Sequence, residues 1–502
     1  GRLGYIVPAN WLQAVSSGKL RKFLNTEARA RIIVAFGGRQ VFEDALVEPL
    51  ILICERNAEE HELSYLFSDN QLFSARDVLD KPFMVKIPDE ALHEDGWHIA
   101  QLRLIGIDAI CQKVESEGLP LGSLFHVEAG VNTGADSVSI RSRTHWPPGV
   151  SEGQGIFGVS RKELDSLTLS KFELTKVKRY IPADWVDRYD QVDDNNHLLI
   201  YLERDIDSAS IPRILTHLSR FKTILENRAE IRRNPSRQWW HLLWPRDPET
   251  YDCPAKLVIA NATAHNSFYL DTDQTYYNIG CTILSPHHNA PLNLYYALAI
   301  LNSRLLDVWY GAKGQNQSDA QRKYFPEKVR QIPLRQIGFN TPSATRQELA
   351  IESQSMYRHF VSTGGREPIL TLVGDQLSFR PMHSDVVHDL LAFLAEEMIR
   401  LNRDKRKAQL GFLNTLVPVI KVKPDKDGTT GLDVLTGRSR LADFPGDYQK
   451  SEPHLTFEEV LEILRKNRKR FATPLTDAAI DGTLRDAYEA SLTRILPIKE
   501  QL

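Results

Sequence analysis

Arg232-Arg233-Asn234-Pro235-Ser236-Arg237-Gln238-Trp239-Trp240-His241-Leu242-Leu243-Trp244-Pro245-Arg246 gathers four arginines and three of the chain's eight tryptophans into fifteen residues. Guanidinium groups pair bidentately with phosphates and aromatic faces stack on bases, so this mixture suits a surface that grips nucleic acid. On that reading Arg232, Arg233, Arg237 and Arg246 meet phosphates and Trp239 stacks. Tryptophans at alternate positions of a strand are equally expected in a core, which would make Trp240 and Trp244 structural. The composition of the stretch leaves both readings open.

Working outward, Pro212 to Arg228 reads as one helix with Ile214, Leu215, Leu218 and Leu225 at helical spacing. Arg213, Arg220, Lys222 and Arg228 are expected on its other faces, continuing the basic character of the central stretch. Leu198-Leu199-Ile200-Tyr201 is a strand, and Lys176 and Arg179 precede it in the basic segment Lys176–Tyr189. Gly130-Val131-Asn132-Thr133-Gly134-Ala135-Asp136 permits positive φ and close backbone approach. Either its amides, Asn132 and the Thr133 hydroxyl meet a phosphate or base edge, or it is a tight turn without a ligand. Downstream, Ala255–Ala260, Ser267–Asp271 and Asn278–Leu284 read as strands and Leu292–Trp309 as a helix. A polar loop follows, with Lys313, Gln315, Asn316, Gln317, Arg322 and Lys323. Gln and Asn pair bidentately with adenine and Arg or Lys with guanine, so this loop is the expected base reader, although a flexible surface loop has the same composition.

At 502 residues the chain is long enough for about three domains. Its net charge of −3 requires any nucleic-acid surface to be local, with acidic residues elsewhere. Cys54, Cys111, Cys253 and Cys281 form no C-x-x-C pair, so neither a zinc site nor a disulfide framework is expected, and a reducing cytoplasm is the default location. No apolar run approaches membrane-spanning length and no secretory signal opens the chain. Asp89, Glu90, His93, Glu94 and Asp95 read as a solvated acidic loop rather than a metal site.

The beginning, with no Met, reads like the middle of a domain: strand Leu3–Val7 in a buried pattern, a helix capped at Asn10 with Lys19, Arg21 and Lys22 at its basic end, then strands Ala30–Phe36 and Leu46–Cys54. Residues 1–12 (GRLGYIVPANWL), 17–24 (SGKLRKFL) and 41–53 (VFEDALVEPLILI) resemble the later motifs of gamma-type adenine-specific DNA methyltransferases, the TaqI-like and type IIG restriction–modification family. The resemblance extends to Gly130–Asp136, to Lys176–Tyr189, to the Trp239–Arg246 pattern, and to Leu301-Asn302-Ser303 followed by Tyr324-Phe325 and Ile332-Pro333. It implies that Phe42 stacks on a flipped-out adenine, which recovers part of the cost of unstacking. It also implies double-stranded DNA as partner, with other restriction or defence subunits in attendance, and S-adenosylmethionine as cofactor. The glycine-rich loop for that cofactor and the catalytic Pro-Pro-Tyr loop are not in this sequence, whose one Pro-Pro is Pro147-Pro148. Cofactor binding and methyl transfer are therefore expected from residues outside the chain.

The expected fold is α/β, α+β overall. Residues 1–57 would end a class I methyltransferase sheet, 58–118 would be a linker with edge strands, 119–340 a mixed target recognition domain, and 341–502 a helical region. Rival expectations are a stand-alone DNA-specificity subunit and a defence-system scaffold without DNA binding.

Overall fold

Ala28–Ala35 and Pro49–Arg56 alternate buried and part-buried residues and pair antiparallel, Ile33 opposite Leu52, to begin the first sheet. The computed structural model describes residues 1–12, 14–36, 49–56, 63–67, 85–87, 92–93, 96–97, 108–192, 196–234, 236–287, 292–318, 321–423, 431–432, 435, 441–448, 452–472 and 479–502. Phe42, Asp89, Glu90, Glu94 and Asp95 lie outside these residues, as do the turn at 424–428 and the side chains of His93, Gln315, Asn316 and Gln317.

The first body comprises β1 (Arg2–Pro8), α1 (Gly18–Thr26), β2 (Ala28–Ala35), β3 (Pro49–Arg56), β4 (Leu63–Phe67) and β5 (Val85–Ile87), in sheet order β1-β3-β2-β4-β5. Only the β2–β4 pairing is parallel. Trp11, Leu24, Ile33, Tyr65 and Trp97 fill its core, with Trp11 edge-on to Trp97 at 5.3 Å. The helix starts at Gly18 and not near Asn10, because two short 3-10 turns occupy the interval. Arg21, expected on a solvated basic end, is fully buried and donates to the carbonyls of Trp11 (2.6 Å) and Ala14 (2.9 Å), tying the helix to those turns. Leu3, Tyr5 and Ile6 of β1 are about half exposed, against the buried pattern expected. A run of apolar residues does not reveal whether a second layer covers an edge strand.

The second body follows α2 (Asp108–Glu117): β6 (Gly118–Pro120), β7 (Phe125–Ala129), β8 (Gly158–Ser160), α3 (Arg161–Ser166), α4 (Lys171–Thr175), β9 (Val177–Ile181) and β10 (His197–Ile200). Then come α5 (Pro212–Ser219), α6 (Lys222–Glu226), α7 (Ala229–Arg233), β11 (Lys256–Ala260), β12 (Ala262–Thr263), β13 (Tyr269–Asp271), β14 (Tyr276–Tyr277) and β15 (Cys281–Pro286). Last are α8 (Leu294–Leu301), α9 (Arg304–Lys313), β16 (Gln315–Ser318), β17 (Gln321–Lys323) and β18 (Pro333–Arg335). One sheet runs β8-β10-β9-β14 and another β13-β11-β15-β7. In the latter, period-2 alternation sends Val258, Cys281 and Ile283 into one apolar core and Leu257, Ile259 and Leu284 into a second. Burial on both faces explains why these strands read as continuous apolar runs.

Two expected helices are broken. The first divides into α5 and α6 around Arg220-Phe221 and ends at Glu226, with α7 a separate short helix beyond it. The second divides at Asn302-Ser303, where the Asn302 amide exchanges hydrogen bonds with both backbone groups of Phe268 (2.8 and 2.9 Å) and the Ser303 hydroxyl accepts from Leu306 N (3.2 Å). Those side-chain bonds compete with helix continuation and win.

Glu173 shows how short elements are held. Its fully buried carboxylate closes the Ser170 capping box and also accepts from Arg213 N (2.7 Å) and Ile214 N (3.0 Å), the free N–H groups that open α5. Burial works against the charge, but the donors at Ser170, Ile214 and Arg213 outweigh it and hold the carboxyl below its ordinary range. A lowered pKa stabilises the fold above the unfolded value, about 4.3, and that stability is lost as pH falls through the folded value. Glu173→Gln is therefore expected to cost about 1–3 kcal/mol at pH 7, with the gap to wild type closing below about pH 4 in a thermal-melt series. A gap independent of pH would refute this.

The C-terminal third is helical: α10 (Ser343–Thr363), α11 (Glu367–Ser378), α12 (Ser384–Ile420), α13 (Phe457–Lys466) and α14 (Arg485–Gln501). With 37 residues α12 extends about 55 Å. Ala392 and Ala395 pack into the second core, whereas Phe412, Leu416 and Ile420 join Val460, Leu464, Tyr488 and Ile495 in a core of their own. Among the described residues no helix is long and apolar enough to cross a membrane.

Candidate nucleic-acid interface

The centre of the site is a buried arginine. Arg228 follows Leu225 by three positions, which places it on the apolar stripe of its segment, and it is 8% exposed. Its Nη1 donates to Thr133 O, its Nη2 to Trp239 O (2.6 Å) and His241 O (2.9 Å), and its Nε to Leu225 O (3.0 Å). Burial, then the neighbouring Arg237, lower its pKa to about 10, so it stays charged at neutral pH. The expectation of a solvated basic helix is wrong for this residue: it joins the Gly130–Asp136 turn to the tryptophan-rich stretch.

That turn is tight and is satisfied from within. A Cβ on Gly130 would lie 1.9 Å from Asn278 O, so the close approach that glycine allows is to the protein's own backbone. The N–H groups of Gly130, Val131 and Asn132 donate to Cys281, Tyr277 and Trp244 carbonyls, and those of Gly134 and Ala135 to the side chains of Asn132 and Thr133. Thr133 is buried and its hydroxyl donates to Asp136, which also accepts from Tyr180. Gly134 has φ +76° with Leu243 and Arg228 against it. The N–H groups of Gly130, Val131, Asn132, Gly134 and Ala135 are thus engaged inside the fold.

Arg232–Arg246 is not a strand. It is the end of α7 followed by turns, with one bridge between Trp244 and Asn132. Trp240 is buried edge-on against His241, Trp239 is half-buried beside Lys222, and Trp244 carries the Arg237 guanidinium over its face at 5.3 Å. Arg237 also donates to Leu243 O (2.9 Å), and Arg246, at φ +71°, donates to Gly130 O (3.2 Å). Arg232 and Arg233 remain exposed, the latter with Glu230 at 3.6 Å. Lys176, just before β9, and Arg179 on β9 are directed to Glu203 (3.0 Å) and Asp273 (2.9 Å), so acidic neighbours already offset their charge.

The polar loop expected after α9 is a hairpin. Asn316 pairs with Arg322 and Gln315 with Lys323, and β17 continues onto β12. Gly314 N caps the helix on Tyr310 O (2.8 Å), where a Cβ would come within 2.5 Å. Tyr310 stacks on Tyr324 at 4.3 Å and its hydroxyl donates to Lys323 O (2.6 Å). Arg322, expected to read a base, donates to the Asp307 carboxylate (2.7 Å) and carbonyl (2.9 Å), contacts that brace the hairpin. Burial opposes the Asp307 charge, yet the His265 bond and Arg322 hold that carboxyl below its usual range. Lys313 is exposed at the end of α9 and Lys323 is half-buried.

Residues 200–334 match the sequence family described as the TaqI-like C-terminal specificity domain. The chain carries such a domain. The specificity domain takes in α5–α7, the arginine–tryptophan stretch and the β16–β17 hairpin, while the Arg228-bound turn, Lys176 and Arg179 precede the matched residues. The type II restriction enzyme and methyltransferase RM.Eco57I of Escherichia coli is 23% identical over 384 residues, 71% of this chain and 37% of that protein. This chain thus spans little more than a third of that relative. Among solved structures, the type IIL restriction–modification enzyme MmeI in complex with DNA superposes with a TM-score of 0.41 at 11% identity, over 98% of this chain and 50% of that one. The type IIG restriction endonuclease BpuSI gives 0.34 at 12% identity, over 69% and 41%.

Proposed function

We propose that the chain is the DNA-recognising portion of a site-specific adenine DNA methyltransferase of a restriction–modification or phage-defence system. The observation that carries this reading is that the TaqI-like specificity domain holds both the exposed Arg232 and Arg233 and the Arg237–Trp244 pair, on a surface anchored by Arg228. Cations there grip phosphates without regard to sequence, and the hairpin at Lys313–Lys323 reads base edges in the major groove. Phe42 stacks on the flipped adenine. S-adenosylmethionine would supply the methyl group. The glycine-rich and Pro-Pro-Tyr loops that would hold it are not among these 502 residues, so the residues present do not fit the cofactor.

Removing both exposed charges, Arg232→Ala with Arg233→Ala, is expected to weaken binding to all duplexes alike and to reduce the slope of log K against log salt by about 2. Gln315→Ala or Asn316→Ala is expected to change sequence preference while leaving that slope intact. Fluorescence anisotropy on a panel of duplexes reads both. Unaltered preference in the hairpin variants would sink the base-reading assignment.

A further inference from the structure

The helical third carries a concentration of positive charge that lies outside the specificity domain. Arg465 and Lys466 end α13, and Arg468-Lys469-Arg470 form the 3-10 turn after it. Arg465, Lys466, Arg468 and Lys469 are exposed, and none forms an ion pair among the described residues. Lys421 and Lys423 arrive from a distant part of the chain. Lys423 N donates to Arg470 O (2.7 Å), Ala472 N donates to Lys421 O (2.8 Å), and Val422 bridges Phe471. Both lysines are exposed and likewise without an acidic partner among the described residues. Six cations without an acidic partner among the described residues are thereby brought onto one small platform in a chain whose net charge is −3.

Two cations in the last turn of a helix have an ordinary role in offsetting the helix dipole. Four more beyond that turn do not, and their mutual repulsion costs stability unless an anion shares the surface. The platform is also rigid. Asn467, 2% exposed, donates from its side chain to Ile463 O (2.8 Å) and accepts from Arg470 N through its carbonyl (2.8 Å), while Phe471, Ile463 and Leu464 are buried beneath. Charges held on a fixed surface lose little freedom on binding a regular array of phosphates.

We propose that the Lys421, Lys423 and Arg465–Lys469 platform is a second DNA-backbone contact that grips duplex DNA outside the recognised sequence. This rests on the DNA-binding reading of the specificity domain. The test compares the wild-type chain, a quadruple Arg465→Gln, Lys466→Gln, Arg468→Gln, Lys469→Gln variant, a Lys421→Gln, Lys423→Gln variant, and Arg232→Ala with Arg233→Ala, on labelled duplex across a salt series. The quadruple variant is expected to bind about tenfold or more weakly, for every sequence, with the log–log salt slope reduced by about 3 to 4. The double lysine variant, on a different segment, should move the same way by a smaller amount. If the platform variants match wild type while the Arg232 and Arg233 changes weaken binding, the second contact is refuted and the first stands. If the wild-type chain holds no duplex at low salt, the DNA reading fails and this proposal falls with it. If charge removal abolishes adhesion to phosphatidylserine vesicles and leaves duplex binding unchanged, the surface serves lipid and the proposal is overturned.

Discussion

Lys256→Met is expected to lower the unfolding free energy by about 3–5 kcal/mol, the range found when one member of a buried ion pair is removed. Lys256 and Asp271 face each other across β11 and β13, 2.7 Å apart and both fully buried. The ammonium also donates to Tyr251 O (2.9 Å), and the carboxylate accepts from Asp273 N, Thr275 N and the Thr275 hydroxyl. Without the lysine, Asp271 would be a buried charge with hydrogen bonds but no counter-ion. Changing both residues, Lys256→Met with Asp271→Leu, removes the stranded charge and should be less damaging than Lys256→Met alone. Urea unfolding of the three variants measures the difference, and a single variant within about 1 kcal/mol of wild type would contradict it.

Arg228→Met is the second large effect. It leaves the carbonyls of Thr133, Trp239 and His241 without their donor, at about 1–3 kcal/mol for each buried group left unpaired. Partial relaxation brings the expected total to about 3–5 kcal/mol. DNA affinity should fall too, because the turn and the arginine–tryptophan stretch are positioned from this one side chain. Lys at this position keeps the charge but replaces a five-donor planar fork with a point donor, so Arg228→Lys should recover only part of the loss. Full recovery by lysine would show that charge alone matters and that the fork does not.

How far the sequence could be read depends on the kind of signal. Strands β2, β3, β10 and β11 stood out because burial writes itself as apolar runs. The helix break at Asn302-Ser303 did not, because it is made by side-chain hydrogen bonds to a partner far along the chain, Phe268. Arginine content could not separate roles. Arg228 is buried, Arg237 stacks on Trp244, Arg322 braces a hairpin, and Arg232 and Arg233 face solvent. The spacing of Arg228 three residues after Leu225, on the apolar stripe, was the available clue. The Lys256–Asp271 pair left no sequence signal, because two charges 15 positions apart meet only once the β11–β13 register is known.

The central claim is that this chain reads duplex DNA. Its most direct test is selection of a randomised duplex pool by the wild-type chain, followed by sequencing of the retained fraction. Enrichment of one short sequence, lost in Gln315→Ala or Asn316→Ala, is the predicted result. A retained pool with no sequence bias, or no retention at low salt, would contradict it.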